Sequence, residues 1–336
     1  MIKVGIIGLG FIGTSLGMAL KQAGISGLEI VGTDKERDRP TKAQKAGAID
    51  RTVGRLADAA RDADLVIITT PSRTVRDVME TISYRLKDGC VVTDTGDSKR
   101  PVLEWAEELL PRHVSFIGGH PMLGGNADRA GGPRAKLFQD RPYAILPAKS
   151  ADEKDVKDLT DMIRLIGAKP YYMDVAEHDS FVAAVNHLPV LLSAALLQCT
   201  STSPSWDDIA KLASDRYRSV TDPSGSEVKA EEILGANDGA IVYWIDAFIQ
   251  ELYAIRRLVS LEEGDESRAE LDQLLSDAWD KRISWLNDLV TPESVAKANA
   301  HRERLPTASE GLMSLFIGER QARRLRDFGK DKRSRD

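Results

Sequence analysis

The chain is poor in cysteine. Its 336 residues include two, Cys90 and Cys199, too few for a disulfide framework or a zinc cluster. Both lie in apolar runs and are expected to be small core residues. No uninterrupted apolar run reaches the roughly 20 residues that span a bilayer. Residues 178–200 come closest, and His178, Asp179 and His187 break them. The first residues hold one lysine and then a glycine-rich turn, where a secretory leader would carry an apolar stretch. There is also no concentrated positive charge: 46 Lys and Arg against 52 Asp and Glu give a net −6, which disfavours nucleic-acid binding by bulk charge. Only the stretch from Arg320 to Arg335 is strongly basic, and it reads as a solvated C-terminal tail. The expectation is a cytoplasmic protein with no membrane or nucleic-acid partner. What is abundant is ordinary for a globular fold: 42% hydrophobic and 29% charged residues, in a length suited to about two domains.

Short apolar, β-branched segments alternate with helical ones through the first half. Ile2–Ile7, Leu28–Thr33, Leu65–Thr70, Cys90–Thr95, Ser115–Gly118, Tyr143–Leu146 and Lys169–Met173 read as strands. Thr14–Ala23, Thr74–Leu86, Val102–Leu110 and Ala151–Ile166 read as helices. That alternation predicts an α/β fold, a Rossmann-like doubly wound parallel sheet. The character changes at Asp174-Val175-Ala176-Glu177, a helix-capping pattern. Beyond it only helices are expected: Ser180–Thr200, Trp206–Ser214, Glu227–Leu234, Gly239–Leu261, Glu266–Val290 and Pro292–Arg304. The organisation expected is a dinucleotide-binding domain over 1–174, an all-α domain for substrate and dimer formation over 175–305, and a tail over 306–336.

Gly8-Leu9-Gly10-Phe11-Ile12-Gly13 joins the first strand to the first helix, and Asp34 ends the second strand 21 residues after Gly13. In such a unit Gly8 permits the tight turn, Gly10 lets the backbone approach a pyrophosphate, and Gly13 lets helix and strand pack closely. Amide groups around Phe11 and Ile12 then face the phosphates. A carboxylate at Asp34 would accept the ribose hydroxyls and repel a 2′-phosphate, which favours NAD over NADP. Lys35, Arg37 and Arg39 soften that preference. Thr70 and Pro71, beyond the end of a strand, are expected to border the cofactor.

Five histidines are present. His113 and His301 sit among charges and read as surface residues. His120 stands in Gly118-Gly119-His120-Pro121-Met122-Leu123-Gly124-Gly125, where glycines let backbone and ligand come close, and it reads as a catalytic base. It is placed just past a strand end. His187 precedes Leu188-Pro189 in an apolar helix, where Pro189 can bend the helix and open a pocket. His178 reads as structural.

His120-Pro121-Met122, then Ala135-Lys136-Leu137-Phe138 with Tyr143 to Pro147, then Glu177-His178-Asp179 with Asn186-His187-Leu188-Pro189 follow one another in an order and spacing that resembles the prephenate/arogenate dehydrogenase family of tyrosine biosynthesis. The resemblance covers roughly residues 1–290. It implies an NAD-dependent oxidative decarboxylation of a small cyclohexadienyl substrate by a homodimer. His120 matches the family's base, which accepts a hydrogen bond from the substrate hydroxyl. Arg218, in Arg216-Tyr217-Arg218-Ser219, is the counterpart of an arginine that holds a substrate carboxylate. His187 falls on the substrate side.

The sequence also departs from the family. The usual Ser-His-Leu-Pro-His is Asn186-His187-Leu188-Pro189-Val190, without its second histidine. Asp-x-Gly-Ser-x-Lys becomes Asp94-Thr95-Gly96-Asp97-Ser98-Lys99, so Asp97 takes the position of a serine beside the reacting hydroxyl, with Ser98 next to it. The usual Thr-Arg pair is absent around Val220-Thr221-Asp222. Alternatives are a diverged dehydrogenase for another cyclohexadienyl or hydroxy-acid substrate, a β-hydroxyacid dehydrogenase, and a sensor of the NAD/NADH ratio. The second would carry a catalytic lysine on the first helix of its second domain, and 176–200 has none. The third would need no reactive side chain at His120.

Overall fold

A computed structural model of the chain describes residues 2–123, 131–222, 238–260 and 265–290. The chain divides into two compact units, Met1–Asp246 and Ala247–Asp336. The first is built on an eight-stranded sheet of order β3-β2-β1-β4-β5-β6-β7-β8. Its strands are β1 (Ile2–Ile7), β2 (Leu28–Thr33), β3 (Arg51–Thr52), β4 (Leu65–Ile68), β5 (Val91–Asp94), β6 (Ser115–Pro121), β7 (Pro142–Pro147) and β8 (Lys169–Tyr172). The sheet helices are α1 (Phe11–Gln22), α2 (Arg39–Lys45), α3 (Leu56–Ala60), α4 (Val75–Ile82), α5 (Arg100–Leu109) and α6 (Glu153–Leu165).

Successive strand residues point to opposite faces, and two cores result. Ile6, Ile30, Ile67, Ile117 and Ile145 pack with Leu16, Leu20, Leu159 and Ile163 from α1 and α6. Ile7, Val66, Ile68, Phe116 and Leu146 pack with Met79, Ile82 and Val102 from α4 and α5. Covering both faces is what makes these strands read as continuous apolar runs rather than alternating ones. The chain reverses direction in the sheet order between β1 and β4, so the carboxyl ends of β1, β4 and β5 converge on the place where open parallel sheets bind ligands.

The structure corrects the expectation in four places. The sheet is not wholly parallel, because β6 and β7 pair antiparallel. That pairing carries β6 to Pro121, beyond Ile117, where its parallel ladder with β5 ends. His120 therefore lies within a strand, opposite Ala144, rather than past its end. Secondly, α2, β3 and α3 fill the stretch after Asp34, to which no element was assigned from the sequence; none exceeds seven residues. Thirdly, Cys90 is buried but Cys199 is exposed.

Fourthly, α7 (Val175–Val182), the π-helical turn Ala183–His187 and α8 (Leu188–Ser201) form one helix of 27 residues, long and apolar enough by length and composition to cross a membrane. Yet His178, Asp179 and His187, the residues that interrupt its apolarity, are buried in the first unit. Asp174 caps the helix by accepting from Ala176 N and Glu177 N. The widened turn comes just before Pro189, which cannot donate to Val185 and would clash with its carbonyl in a regular helix. Helices α9 (Trp206–Lys211) and α10 (Asp215–Val220) follow. Ser193 Oγ and Thr200 Oγ1 hold α10 on α8 through Val220 O and Tyr217 OH. The start of α11 (Asp238–Ser260) packs on the π turn, with Trp244 Nε1 donating to Ser180 O at 3.0 Å.

In the second unit the described residues belong to the rest of α11 and to α12 (Asp265–Val290), which expose large apolar side chains including Tyr253, Trp279 and Trp285. The helices expected at Glu227–Leu234 and Pro292–Arg304, His301, Gly124, Gly125 and the tail 306–336 lie outside the described residues.

Candidate active site

The glycine turn has the geometry its composition predicts. Gly8 adopts φ +100°, a left-handed conformation costly for any other residue. A Cβ on Gly13 would stand 2.0 Å from Gly8 O and 2.4 Å from Thr69 Oγ1, so only glycine lets α1 start this close to β1. Around Gly10 there is room, since a Cβ there would meet nothing nearer than Arg39 Nη1 at 4.0 Å. No side chain caps α1, and no acidic residue sits in its first turn. Its leading N–H groups and positive dipole end are therefore available to an anion.

Asp34 is almost wholly buried. It accepts from Leu9 N at 2.6 Å and Glu36 N at 2.8 Å, with Arg39 Nη1 at 3.6 Å. Its carboxylate thus ties the end of β2 to the glycine loop, and Arg39 stands over both. Phe11 and Ile12 pack against the core, and the Arg134 guanidinium lies 5.5 Å from the Phe11 ring centre. Room around Gly10 and the uncapped amides at the start of α1 thus lie beside the buried Asp34 carboxylate.

At the ends of β4, β5 and β6 a second group of side chains gathers. Thr70, Ser98 and His187 each present a buried polar atom, Oγ1, Oγ and Nε2, without a hydrogen-bond partner among the described residues. Buried polar atoms are rarely left so, and three together mark a place where a polar ligand completes the bonding. Asp97 joins them, with Oδ2 3.6 Å from His187 Nε2 and Oδ1 3.5 Å from Ser72 Oγ, one residue past Pro71. Burial raises the Asp97 carboxyl, but His187 and His120 beside it outweigh that and bring it below the usual carboxylate range. Asp97 is therefore ionised at neutral pH.

His120 is almost completely buried. Burial pushes its imidazole down to about 3, with Lys99 acting the same way and Asp97 opposing them. It is neutral throughout the physiological range, as a proton acceptor must be. Its Nδ1 lies 3.0 Å from His178 Nε2, and His178 Nδ1 lies 2.9 Å from Asp179 Oδ1. Beneath this, Lys99 Nζ meets Asp94 Oδ2 at 2.5 Å, both wholly buried, and Asp94 also accepts from Gly96 N and Gly119 N. Beside His178 lies a cavity of about 240 Å³ with apolar walls from Met122, Tyr171, Met173 and Phe181.

Of the residues singled out in the sequence, the structure brings His120, Asp97, Ser98, His187, Thr70 and Pro71 to one end of the sheet. Gly8, Gly10, Phe11, Ile12, Gly13 and Asp34 form the neighbouring cradle. Arg218 is not brought in: it is exposed on α10, 3.7 Å from Asp215, and takes no part in the contacts around His120. Sequence reasoning missed His178, Asp179, Lys99 and Asp94. Polar residues interrupting an apolar helix, in Glu177-His178-Asp179, were the available signal.

Comparison with known proteins identifies the family. The family model described as "Prephenate dehydrogenase, nucleotide-binding domain" matches residues 16–172, and that described as "Prephenate dehydrogenase, dimerization domain" matches residues 174–276. The prephenate dehydrogenase of Bacillus subtilis is 28% identical over 263 residues, 77% of this chain and 71% of that protein. The cyclohexadienyl dehydrogenase of Zymomonas mobilis is 28% identical over 78% of this chain and 90% of its own length. Among solved structures, Synechocystis arogenate dehydrogenase superposes with a TM-score of 0.70 at 26% identity, covering 84% of this chain and 100% of that one. Prephenate dehydrogenase from A. aeolicus, in complex with hydroxyphenyl propionate and NAD+, gives 0.73 at 26% identity, covering 84% and 98%.

Proposed function

Because the chain belongs to the prephenate/arogenate dehydrogenase family, we propose that it catalyses the NAD-dependent oxidative decarboxylation of prephenate or arogenate, with His120 as the base. The observation that carries this reading is the neutral, buried imidazole of His120 in the same end of the sheet as three unpartnered polar atoms, on Thr70, Ser98 and His187. The glycine cradle fits NAD: amides of α1 for the pyrophosphate, Asp34 for the adenosine ribose, Thr70 and Pro71 along the cofactor's path.

When bound, NAD supplies the acceptor for the hydride that leaves the substrate's hydroxyl-bearing ring carbon. His120 accepts a hydrogen bond from that hydroxyl and takes its proton as the C–H bond breaks. The oxygen becomes a carbonyl, the ring carboxylate departs as carbon dioxide, and its bonding pair flows through the dienone to that oxygen, which takes a proton back and leaves an aromatic phenol. Ser98 Oγ and His187 Nε2 orient the polar groups of the substrate. Burial at the strand ends excludes water from the reacting atoms. Arg218 is assigned a substrate carboxylate by family resemblance, in a role its exposed position does not itself supply.

A second reading concerns the substrate. Asp97 is ionised in the pocket, and a fixed negative charge favours the amino-bearing arogenate, or another amino-bearing cyclohexadienyl acid, over prephenate. We also infer that the enzyme works as a cytoplasmic homodimer through its C-terminal helices. That assembly covers the apolar faces of α8 and α12, a role otherwise left to a membrane. The test is an assay with prephenate, arogenate and simple hydroxy acids, following NADH absorbance. NADH formation with a cyclohexadienyl substrate, lost in His120→Asn, is the expected result. Turnover only with simple hydroxy acids would overturn the reading.

A further inference from the structure

We propose that His178 and Asp179 form a positioning relay that holds His120 as the Nδ1–H tautomer and leaves its Nε2 lone pair free for the substrate. The proposal rests on the reading of His120 as the base and says how the fold makes it one.

The direction of the relay follows from who can donate. Asp179 Oδ1 accepts from Lys99 N at 3.1 Å and Oδ2 from Arg100 N at 3.0 Å. Both carboxylate oxygens are thereby occupied by main-chain donors at the start of α5, where the helix dipole also favours negative charge. Asp179 can only accept, so His178 Nδ1, 2.9 Å from Oδ1, must carry a proton.

His178 is wholly buried. With the Asp179 carboxylate already met by the main-chain N–H groups of Lys99 and Arg100, a charged His178 in this buried position would be costly. A neutral His178 protonated on Nδ1 has its one lone pair on Nε2. That atom faces His120 Nδ1 at 3.0 Å. Two lone pairs cannot share a contact this short, so the proton between the rings belongs to His120 Nδ1. The rings meet edge-on, with centroids 5.2 Å apart and planes at 73°, which suits an N–H···N bond rather than stacking. His120 is left with a bare Nε2, the atom a base requires. The reverse arrangement would put a proton on Nε2 and abolish the base.

The relay also explains why a polar pair interrupts an apolar helix. His178 and Asp179 join α7 to β6 and to the start of α5 across 58 and 80 residues of sequence, respectively, so the turn of helix that carries them sets the protonation of a strand residue.

The test begins with nitrogen NMR on protein labelled at its five histidines, with His120→Asn to assign the resonances. The expected result is a protonated Nδ1 and an unprotonated Nε2 on His120, with the same pattern on His178. A proton on His120 Nε2 overturns the relay, whatever the activity. Kinetics then separate positioning from folding. His178→Phe removes the acceptor and should lower kcat by about 10²-fold or more, with NAD affinity unchanged. His178→Gln, whose carbonyl can accept from His120, should recover part of the loss. A His178→Phe enzyme within about tenfold of wild-type kcat rejects the relay. Full activity in His120→Asn would instead reject His120 as the base, and the tautomer measurement keeps the two failures apart.

Discussion

Lys99 Nζ lies 2.5 Å from Asp94 Oδ2 at the end of β5, and neither side chain reaches solvent. Breaking a buried pair by removing one partner strands an uncompensated charge, at a cost of about 3–5 kcal/mol. Lys99→Met should therefore lower the free energy of unfolding by about that amount in urea denaturation. It should also raise the His120 pKa, because Lys99 is one of the groups that hold it down. A loss of less than about 1 kcal/mol would mean the pair contributes little to the sheet.

Asp34→Ala should weaken NAD much more than NADP. Losing hydrogen bonds to a charged acceptor costs about 1.5–3 kcal/mol, or about 10- to 100-fold in Kd. Arg39, 3.6 Å from the Asp34 carboxylate, would be released to face a 2′-phosphate. Calorimetric titration with both cofactors measures the ratio, and an unchanged NAD affinity rejects the assignment of the ribose to Asp34.

Asp97→Ser should raise catalytic efficiency with prephenate relative to arogenate. Prephenate has two carboxylates; arogenate adds an ammonium and is less negative by one charge. Removing a fixed negative charge at the pocket relieves about 1 kcal/mol or more of repulsion for the more anionic substrate. It also frees His187, 3.6 Å from Asp97. An unchanged ratio would show that the pocket discriminates by shape.

Acid should destabilise the fold through His120. Its folded pKa is about 3, below the value near 6.5 of an unfolded histidine. Between these limits the unfolded chain binds the extra proton, so unfolding free energy rises with pH. This contribution is complete above about pH 6.5 and is lost as pH falls toward 3. Chemical denaturation at pH 4 to 8 should show it, and His120→Asn should flatten the slope. An equal slope in wild type and variant would contradict the burial of a neutral ring.

The apolar helix Val175–Ser201 should lie in a homodimer interface. Only 22% of its most apolar window is buried within the chain, and Leu197 is exposed on it. Light scattering should give twice the 36.9 kDa chain mass, and Leu197→Glu should shift it toward one chain. A monomer at micromolar concentration would reject this interface.

The first 34 residues could be read almost in full from sequence. A β-branched run, glycines at 8, 10 and 13, a helical segment and a terminal Asp34 are local signals, because turn conformation and strand burial depend on neighbours along the chain. Most strands and helices through Tyr172 were legible for the same reason. What tertiary structure alone decided lies in contacts between distant segments. β6 runs on to Pro121 because β7 pairs with it antiparallel, and no residue near His120 announces that partner. Asp97 and His187 were legible as separate motifs, but the charge of one beside the other exists only in the folded pocket. His178 looks like any satisfied core histidine in sequence. Its proton is placed by Asp179, whose own oxygens are held by Lys99 and Arg100 main-chain donors about 80 residues earlier. Hydrogen-bond direction depends on every partner in a chain of contacts, and those partners are assembled by the sheet rather than by the sequence around any one of them.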